Sequence, residues 1–306
     1  MRVCVVGCGA VGSLFAANLA QLDDVEVWAY NVSQAHVDAI NANGLRLVGA
    51  GEVLGHPTAT TDASALPACE FGIVATKAMH TEGAIAATAH AFGDGAVATV
   101  QNGVGNEEVV AEHVGRVIRG TTFPAGKILE PGVVQWDVKG DTTLGPFEPK
   151  PARTDEIERL ADACTRGGMP TAAVADARPA QWRKVIFNAS TNPVGALTRL
   201  THGRVCERPD LRALVSALVD EGKAVAAAQG ITLDADPEEL IDHAARPEIA
   251  YGHKASMLQD VEARRATEID FLNGGIARFG RQLGVATPLN DAITSLIKGL
   301  EASWSL

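Results

Sequence analysis

Apolar and polar positions alternate in blocks along the first part of the chain, where short apolar runs are followed by stretches with helical spacing. The first apolar run, Val3–Val6, leads into a helical stretch at Ser13–Leu22. Later strand-like runs are Val25–Tyr30, Phe71–Ala75, Ala96–Val100 and Arg116–Thr121, and the helical stretches between them are Ser33–Asn43, Gly83–Phe92 and Glu107–Val114. Strands that alternate with helices are typical of a doubly wound parallel sheet. We therefore predict an α/β fold for this part of the chain.

The pattern changes in the second half of the chain. Two short apolar runs, Gly132–Trp136 and Asp141–Leu144, predict a hairpin that closes the edge of the sheet. A helix is predicted over residues 154–166, and from Arg178 onward the pattern is mostly helical. One buried stripe in that region ends before Gly230 and consists of Leu211, Leu214, Val215, Leu218 and Val225. We predict two domains, residues 1–171 around the sheet and residues 172–306 as an all-α helical domain.

The turn after the first strand carries three glycines in the pattern Gly7-x-Gly9-x-x-Gly12. In a dinucleotide-binding turn the first glycine permits the tight bend, the second lets the backbone approach a pyrophosphate, and the third lets the helix pack on the strand. This pattern predicts an N-terminal Rossmann-type domain, and a plain glycine-rich turn between strand and helix is the alternative. The predicted cofactor contacts are the loop residues Gly7, Cys8, Gly9, Ala10, Val11 and Gly12, because N–H groups at the helix start face the phosphates.

The end of the second strand should indicate which nicotinamide cofactor binds. An acid about 20 residues after the glycines contacts the ribose of NAD, whereas a basic residue contacts the extra phosphate of NADP. The chain has Asn31-Val-Ser33 at this place, which matches neither pattern, and His36 follows as a weak cationic partner. Asn31 is a predicted cofactor contact, since Asn31 and Ser33 could hydrogen-bond either a hydroxyl or a phosphate; the alternative is that Asn31 is a turn residue only. Cofactor preference therefore stays open at this point.

Composition narrows the classes of partner. The chain has 306 residues and a net charge of −11, and its basic clusters, such as Arg264-Arg265, are no longer than two residues, so nucleic acid is not expected. The sequence has no apolar run of about 18 residues, which argues against a membrane span. Its five scattered cysteines have no metal spacing and indicate buried thiols in a reducing compartment. We expect a cytoplasmic protein that binds small molecules and no metal ion.

A polar stripe lies on a predicted helix in the second domain. At about 100° per residue, Lys184, Asn188 and Asn192 fall one turn apart on the same face, while apolar residues cover the other directions. Asparagine is a poor helix former, so a lysine and two amides in line are not explained by helix stability. The alternative is a solvated face that happens to be rich in asparagine.

A third cluster begins at Ser256, which with Gln259 fits a capping box at the start of a helix. The N–H groups at such a helix start also suit the carboxylate of a substrate. The same predicted helix carries Glu268, three steps of four residues further on. By itself, Glu268 would be a surface charge more often than a site residue.

The ordered set of these motifs resembles the ketopantoate reductase family (2-dehydropantoate 2-reductase) over essentially the whole chain. The matching features are Gly7-x-Gly9-x-x-Gly12, Thr76-Lys77, Gln101-Asn102-Gly103, Gly167-Gly168-Met169-Pro170, Trp182-x-Lys184-x-x-x-Asn188-x-x-x-Asn192-Pro193, Ser256-Met-Leu-Gln-Asp260 and Glu268. Each motif alone has low specificity, whereas the set in this order is specific.

The resemblance implies roles for individual residues. Lys184 would be the general acid that protonates the carbonyl oxygen of the substrate as hydride arrives from the nicotinamide. Asn188 and Asn192 would bind the hydroxyl and carbonyl ends of the substrate, and Ser256 would bind its carboxylate. On the cofactor side, the implied contacts are made by Lys77, by Glu268 and by Asn102, which would bridge cofactor and substrate.

Two positions depart from the family pattern. Asn31 stands where the family typically has an arginine for the 2′-phosphate of NADPH, and His202 stands where some members have an asparagine. His202 is either a loop residue or a substrate contact.

The expected function is reduction of 2-dehydropantoate to (R)-pantoate with NADPH, or with NADH as the alternative, by a chain that could form a homodimer. Reduction of another 2-oxo acid, an opine-type dehydrogenase and a non-catalytic dinucleotide sensor are the other interpretations.

Overall fold

A computed structural model describes residues 1–305 as two compact units. The first unit consists of Met1–Gln101 and Asn106–Ala177, and the second consists of Asn102–Gly105 and the chain from Arg178 onward. The predicted domain boundary at residue 172 lies inside a short strand at Thr171–Ala173, and this strand pairs within a sheet of the first unit. The structural division therefore comes a few residues later than the sequence pattern indicates.

The first unit contains two sheets. Its strands are β1 (Arg2–Val6), β2 (Glu26–Tyr30), β3 (Leu45–Gly49), β4 (Val53–Gly55), β5 (Thr58–Thr60), β6 (Phe71–Val74), β7 (Ala96–Thr99), β8 (Val117–Thr122), β9 (Ala125–Glu130), β10 (Val133–Val138), β11 (Thr142–Pro146) and β12 (Thr171–Ala173). Its helices are α1 (Ala10–Leu19), α2 (Gln34–Asn43), α3 (Thr81–Thr88), α4 (Asn106–His113) and α5 (Thr154–Arg166).

The main sheet has eight strands in the order β12-β11-β8-β7-β6-β1-β2-β5, and all neighbours are parallel except β8 and β11. The alternation of side chains along β1 builds a core on each face. Val3 and Val5 pack in the core that includes α1 and α5, whereas Cys4 and Val6 pack in the core that includes α3 and α4. Helices on both faces of a mostly parallel sheet confirm the predicted doubly wound α/β architecture.

The predicted hairpin around Gly140 is wrong. β10 is antiparallel to β9 and parallel to β3 in a separate four-stranded sheet, of order β4-β3-β10-β9. β11 instead returns to the main sheet, where it pairs with β8 and β12. The residues between β10 and β11 therefore connect two sheets, and the small sheet contributes its own buried side chains to the core around α1.

The second unit is helical, which confirms an all-α C-terminal region. Its helices are α6 (Arg178–Thr198), α7 (His202–Cys206), α8 (Pro209–Ala228), α9 (Pro237–Ala244), α10 (Ser256–Glu262), α11 (Asn273–Leu283) and α12 (Pro288–Ala302). α8 carries the predicted stripe, in which Val215, Leu218 and Val225 are fully buried. These residues pack in one core with Trp182, Val185 and Ile186 of α6, so α6 is held along its apolar side.

No helix within residues 1–305 is long and apolar enough to cross a membrane. The same residues contain no group of three or more His, Cys, Asp or Glu side chains that could hold a metal ion.

The small sheet should contribute to stability through its inner face. Leu47 of β3 is fully buried in the core that contains Leu14 and Leu19 of α1, so Leu47→Ala should lower the free energy of unfolding by about 2–5 kcal/mol. Leu54 of β4 is 48% exposed, and Leu54→Ala should change the free energy by less than about 0.5 kcal/mol. Denaturant unfolding of both variants measures the difference. Equal effects would mean that the small sheet does not pack as described.

Candidate active site

Two of the three glycines in the turn after β1 are required by the packing of the backbone around them. Gly7 has φ +87, and a Cβ there would lie 2.7 Å from the amide nitrogen of Thr76. A Cβ on Gly12 would overlap the carbonyl group of Gly7. Any larger side chain at either position would therefore displace backbone, so the close packing of helix on strand depends on both glycines.

Gly9 differs from the other two glycines. Its φ of −85 is ordinary, and a Cβ on it would have only one atom within 4 Å, the Gly7 carbonyl oxygen at 4.0 Å. Gly9 is also the N-cap of α1, and no side chain within the described residues caps this helix start. The space in front of Gly9 and the N–H groups that follow it fit the pyrophosphate of a dinucleotide, because both close approach and hydrogen-bond donors are present.

Cys8 and Asn31 connect this turn to the end of β2. The Asn31 side chain donates from Nδ2 to the Cys8 carbonyl at 2.6 Å, and its Oδ1 accepts from the Ser33 N–H at 2.8 Å. Asn31 is therefore a turn residue that also holds the glycine turn. The Cys8 side chain is fully buried, and burial raises the pKa of its thiol to about 11, so Cys8 is an inert thiol next to the helix start.

His36 does not supply a cation at the end of β2. The side chain is buried, its Nδ1 accepts from the Gly132 N–H at 3.1 Å, and burial lowers the pKa of the ring below the usual value for histidine. A neutral, enclosed imidazole cannot pair with a phosphate. The suggestion that His36 is a weak cationic partner is therefore wrong.

Lys77 follows β6 in a loop that borders the glycine turn. It is the half-buried N-cap of a short 3₁₀ helix at Ala78–His80. The loop is fixed by Gln101, whose Nε2 donates to the carbonyl and the hydroxyl oxygens of Thr76, each at 3.0 Å. Because Thr76 also touches Gly7, the sequence Thr76-Lys77 and the glycine turn form one local structure.

The polar stripe lies on α6 as predicted, but its two amides are not solvated. Asn188 is 9% exposed and Asn192 is 7% exposed, which excludes the alternative of a solvated asparagine-rich face. No residue in the range 1–305 hydrogen-bonds the Asn188 side chain, and the only bond of the Asn192 side chain is a long one, 3.4 Å from the Thr191 hydroxyl to Oδ1. Buried amides normally have hydrogen-bond partners in the protein. These two are available to a ligand.

Lys184 begins a hydrogen-bonded chain of three side chains in the second unit. Its Nζ donates to Asn102 Oδ1 at 2.8 Å, and Asn102 Nδ2 donates to Glu268 Oε2 at 3.3 Å. Burial lowers the pKa of Lys184 to about 8, and the negative charge of Glu268 opposes this shift. The ammonium group of Lys184 therefore loses its proton far more readily than that of a lysine in water.

The structure corrects the reading of Ser256 as a helix cap. α10 begins at Ser256, so Ala255 is the N-cap and no side chain caps the helix. Gln259, the other half of the predicted capping box, donates instead to the Lys254 carbonyl at 2.9 Å. The Ser256 side chain is exposed and remains a candidate for ligand binding.

The predicted helix that would carry both Ser256 and Glu268 is also wrong, because α10 ends at Glu262. Glu268 lies in the turn before α11 and is 5% exposed, so it is not a surface charge. Its carbonyl accepts from the N–H groups of Phe271 and Leu272, at 3.0 and 3.1 Å. The turn therefore fixes the backbone that aims Glu268 at Asn102.

His202 has an internal partner. It begins α7, its ring nitrogen Nε2 donates to the Ile241 carbonyl at 3.0 Å, and its ring lies 5.6 Å from that of Phe187. Burial lowers the pKa of this ring. These contacts favour a packing role for His202 over contact with a substrate.

One residue with a direct link to α6 was not found from the sequence. Asn273 donates from Nδ2 to the Ala189 carbonyl at 2.8 Å. The signal that could have found it is Pro193, since a proline within a helix has no N–H and leaves the carbonyl four residues earlier without its helical partner.

Comparison with known families gives two matches that together span most of the chain. The model described as "Ketopantoate reductase PanE/ApbA" matches residues 3–149, and the model of the C-terminal part of the same family matches residues 176–301. The motifs that carry the resemblance therefore lie within one of the two family matches, except for Gly167-Gly168-Met169-Pro170, which falls between them.

Individual relatives match along their whole length. A 2-dehydropantoate 2-reductase of Pyrococcus horikoshii is 33% identical over 304 residues, which are 99% of this chain and 98% of the relative. One from Halobacterium salinarum is 31% identical over 304 residues, 97% of this chain and 98% of the relative.

Solved structures with a similar fold include a member of the same family as the sequence relatives. A PanE/ApbA family ketopantoate reductase from Ralstonia eutropha JMP134 superimposes with a TM-score of 0.89, 28% identity and 100% coverage of both chains. A D-mandelate dehydrogenase in a ternary structure with NADH and anilino(oxo)acetate gives a TM-score of 0.90, 27% identity and the same coverage. The chain belongs to the PanE/ApbA ketopantoate reductase family of NAD(P)H-dependent oxidoreductases.

Proposed function

We propose that this protein reduces 2-dehydropantoate to (R)-pantoate with Lys184 as the general acid. The observation that carries the proposal is the position of Lys184, a half-buried lysine that donates to Asn102 and lies on the same face of α6 as the two available amides. Burial lowers its pKa to about 8. Reduction of a ketone needs a proton donor at the oxygen where negative charge develops. A dinucleotide sensor would have no use for such a donor.

The proposed reaction assigns one step to each group. When bound, NAD(P)H would supply the hydride for the carbonyl carbon of the substrate. The proton on Lys184 Nζ moves to the carbonyl oxygen, which completes the hydroxyl group and leaves a neutral amine. Asn102 Oδ1 accepts one N–H of Lys184 and so directs the other protons, while the carboxylate of Glu268 favours return of the lost proton from solvent.

The two amides of α6 are proposed to bind the substrate. Asn188 and Asn192 lie one helical turn apart and each offers both donor and acceptor groups, which suits a molecule with hydroxyl and carbonyl oxygens. The exposed hydroxyl of Ser256, at the start of α10, is proposed to bind the substrate carboxylate.

On the cofactor side, the proposed contacts are the glycine turn, Asn31, Lys77, Asn102 and Glu268. Asn31 lacks the charged, two-pronged group with which an arginine binds a 2′-phosphate, and its side chain is already used by Cys8 and Ser33. We propose NADPH as the cofactor with only a modest preference over NADH. The cytoplasmic location and the homodimer stay predictions.

A different 2-oxo acid is the second candidate substrate. The D-mandelate dehydrogenase structure has the same fold over the whole chain at a similar level of identity, so the fold accommodates more than one substrate. The packing of His202 in the interior adds no substrate contact that would favour one side chain over another.

A substrate panel tests the proposal. Purified protein should consume NADPH and NADH with 2-dehydropantoate at a higher kcat/KM than with phenylglyoxylate or pyruvate, as followed by loss of the absorbance of the reduced nicotinamide. A higher kcat/KM with phenylglyoxylate would support the second candidate. Cofactor binding without turnover of any 2-oxo acid would support the sensor interpretation.

Loss of the proton donor should slow turnover without loss of cofactor. Lys184→Ala should lower kcat by about 10²–10⁴, the usual contribution of general acid catalysis. In the wild type, kcat for reduction should fall as the pH rises through about 8, because Lys184 is then deprotonated.

The control for this prediction is Lys223→Ala, which removes a lysine of α8 that pairs with Asp236. It should leave kcat and its pH profile unchanged. A loss below about tenfold in Lys184→Ala at neutral pH would show that another group supplies the proton.

Charge at position 31 should set the cofactor ratio. Asn31→Arg should shift the ratio of the two kcat/KM values towards NADPH, and Asn31→Asp should shift it towards NADH, by about 1–3 kcal/mol of charge-assisted hydrogen bonding. Asn31→Ala is the matched control, since it also removes the bond to Cys8 but adds no charge, and it should lower both values by the same factor. A ratio that is the same in all three variants would mean that residue 31 does not face the ribose.

A further inference from the structure

A proline lies inside the helix that carries the proposed general acid and the two amides. α6 continues through Pro193 to Thr198. Because Pro193 has no N–H, the carbonyl oxygen of Ala189 loses the hydrogen bond that the helix would give it. A buried carbonyl without a partner destabilises the fold, so its hydrogen bond must come from elsewhere.

Asn273 provides that bond from the first residue of α11. One N–H of its Nδ2 donates to the Ala189 carbonyl at 2.8 Å, and Nδ2 also donates to Asn290 Oδ1 at 3.0 Å. Asn290 in turn donates to the Glu221 carboxylate at 2.7 Å. Asn273 is completely buried, and its own Oδ1 has no partner among residues 1–305. The side chain is thus used for its donors and not for its acceptor.

The bond joins the two parts of the candidate site in this unit. Ala189 directly follows Asn188, and Pro193 directly follows Asn192. On the other side, Asn273 directly follows the turn that begins at Glu268, in which the Glu268 carbonyl accepts from the N–H groups of Phe271 and Leu272. The hydrogen bond of Asn273 therefore helps to fix the distance between the amides of α6 and Glu268. The hydrogen bonds that join Lys184, Asn102 and Glu268 do the same.

We propose that Asn273 is a positioning residue that replaces the hydrogen bond lost at Pro193 and so holds Asn188 and Asn192 in place for the substrate. The proposal rests on the proposed function of those two amides. Its structural half, the dependence of Asn273 on Pro193, does not need a substrate. The two halves can therefore be measured separately.

A double-mutant cycle tests the structural half. Asn273→Ala leaves the Ala189 carbonyl without a donor and should lower the melting temperature by several degrees. In a Pro193→Ala background, residue 193 regains its N–H and can bond Ala189 itself, so the same Asn273→Ala change should lower the melting temperature much less. Val225→Ala, a core change in α8 with no polar link to either residue, should lower it equally in both backgrounds.

The functional half is read from kinetics with the 2-oxo acid that the wild type turns over best. Asn273→Ala should lower kcat/KM by about ten- to a hundredfold, mainly through KM, because misplacement of binding groups by about 1 Å has effects of this size. In the Pro193→Ala background the same change should lower kcat/KM by less than about threefold relative to Pro193→Ala alone. Val225→Ala should leave KM unchanged.

The outcomes separate the possibilities. Equal losses of melting temperature in both backgrounds would overturn the assignment of Asn273 to Pro193. Coupled melting temperatures with an unaltered KM would overturn the positioning role and leave a structural one. If Asn273→Ala does not fold, the double variant must fold for the proposal to stand. If the wild type reduces no 2-oxo acid, the proposed function fails while the melting-temperature cycle still tests the link.

Discussion

A lysine that donates a proton inside a protein must keep its charge where water stabilises it poorly. In this protein the proposed donor is Lys184, whose charge is held by the hydrogen bond to Asn102 and by the carboxylate of Glu268 beyond it. Burial lowers the pKa of the lysine and the carboxylate limits the shift, so the value of about 8 is a balance between two opposing effects. The two available amides, Asn188 and Asn192, lie one and two turns further along α6 from this ammonium group.

Local patterns predicted much of the fold and part of the site. The glycine turn, the alternation of strands and helices, and the polar face of α6 all depend on residues close together in sequence, and the structure has each of them. The family motifs also point to Asn102 and Glu268 as site residues, which stays a prediction. What spacing could not provide is their contact, since the two residues are 166 positions apart and meet only through tertiary structure.

The errors come from pairings that the sequence does not encode locally. Gly140-Asp141 resembles a hairpin turn, yet β10 finds its parallel partner in β3, far back in the chain. β4 has only three residues, which are too few for a periodicity to stand out. Ser256 and Gln259 have the spacing of a capping box, but α10 begins at Ser256, one residue earlier than that spacing requires. Asn273 gave no signal of its own, because its importance arises from a proline on another helix.

The three glycines of the first turn are needed for different reasons. Gly7 and Gly12 are needed for the chain to fold, because any side chain there would overlap backbone. Gly9 meets almost no protein atom, so a methyl group at that position would leave the fold intact and occupy only the space in front of α1. The addition of one carbon atom at position 9 would therefore affect ligand binding and not folding. A descendant of this protein that no longer bound the cofactor could carry alanine at position 9 and keep its fold, provided that Gly7 and Gly12 remained.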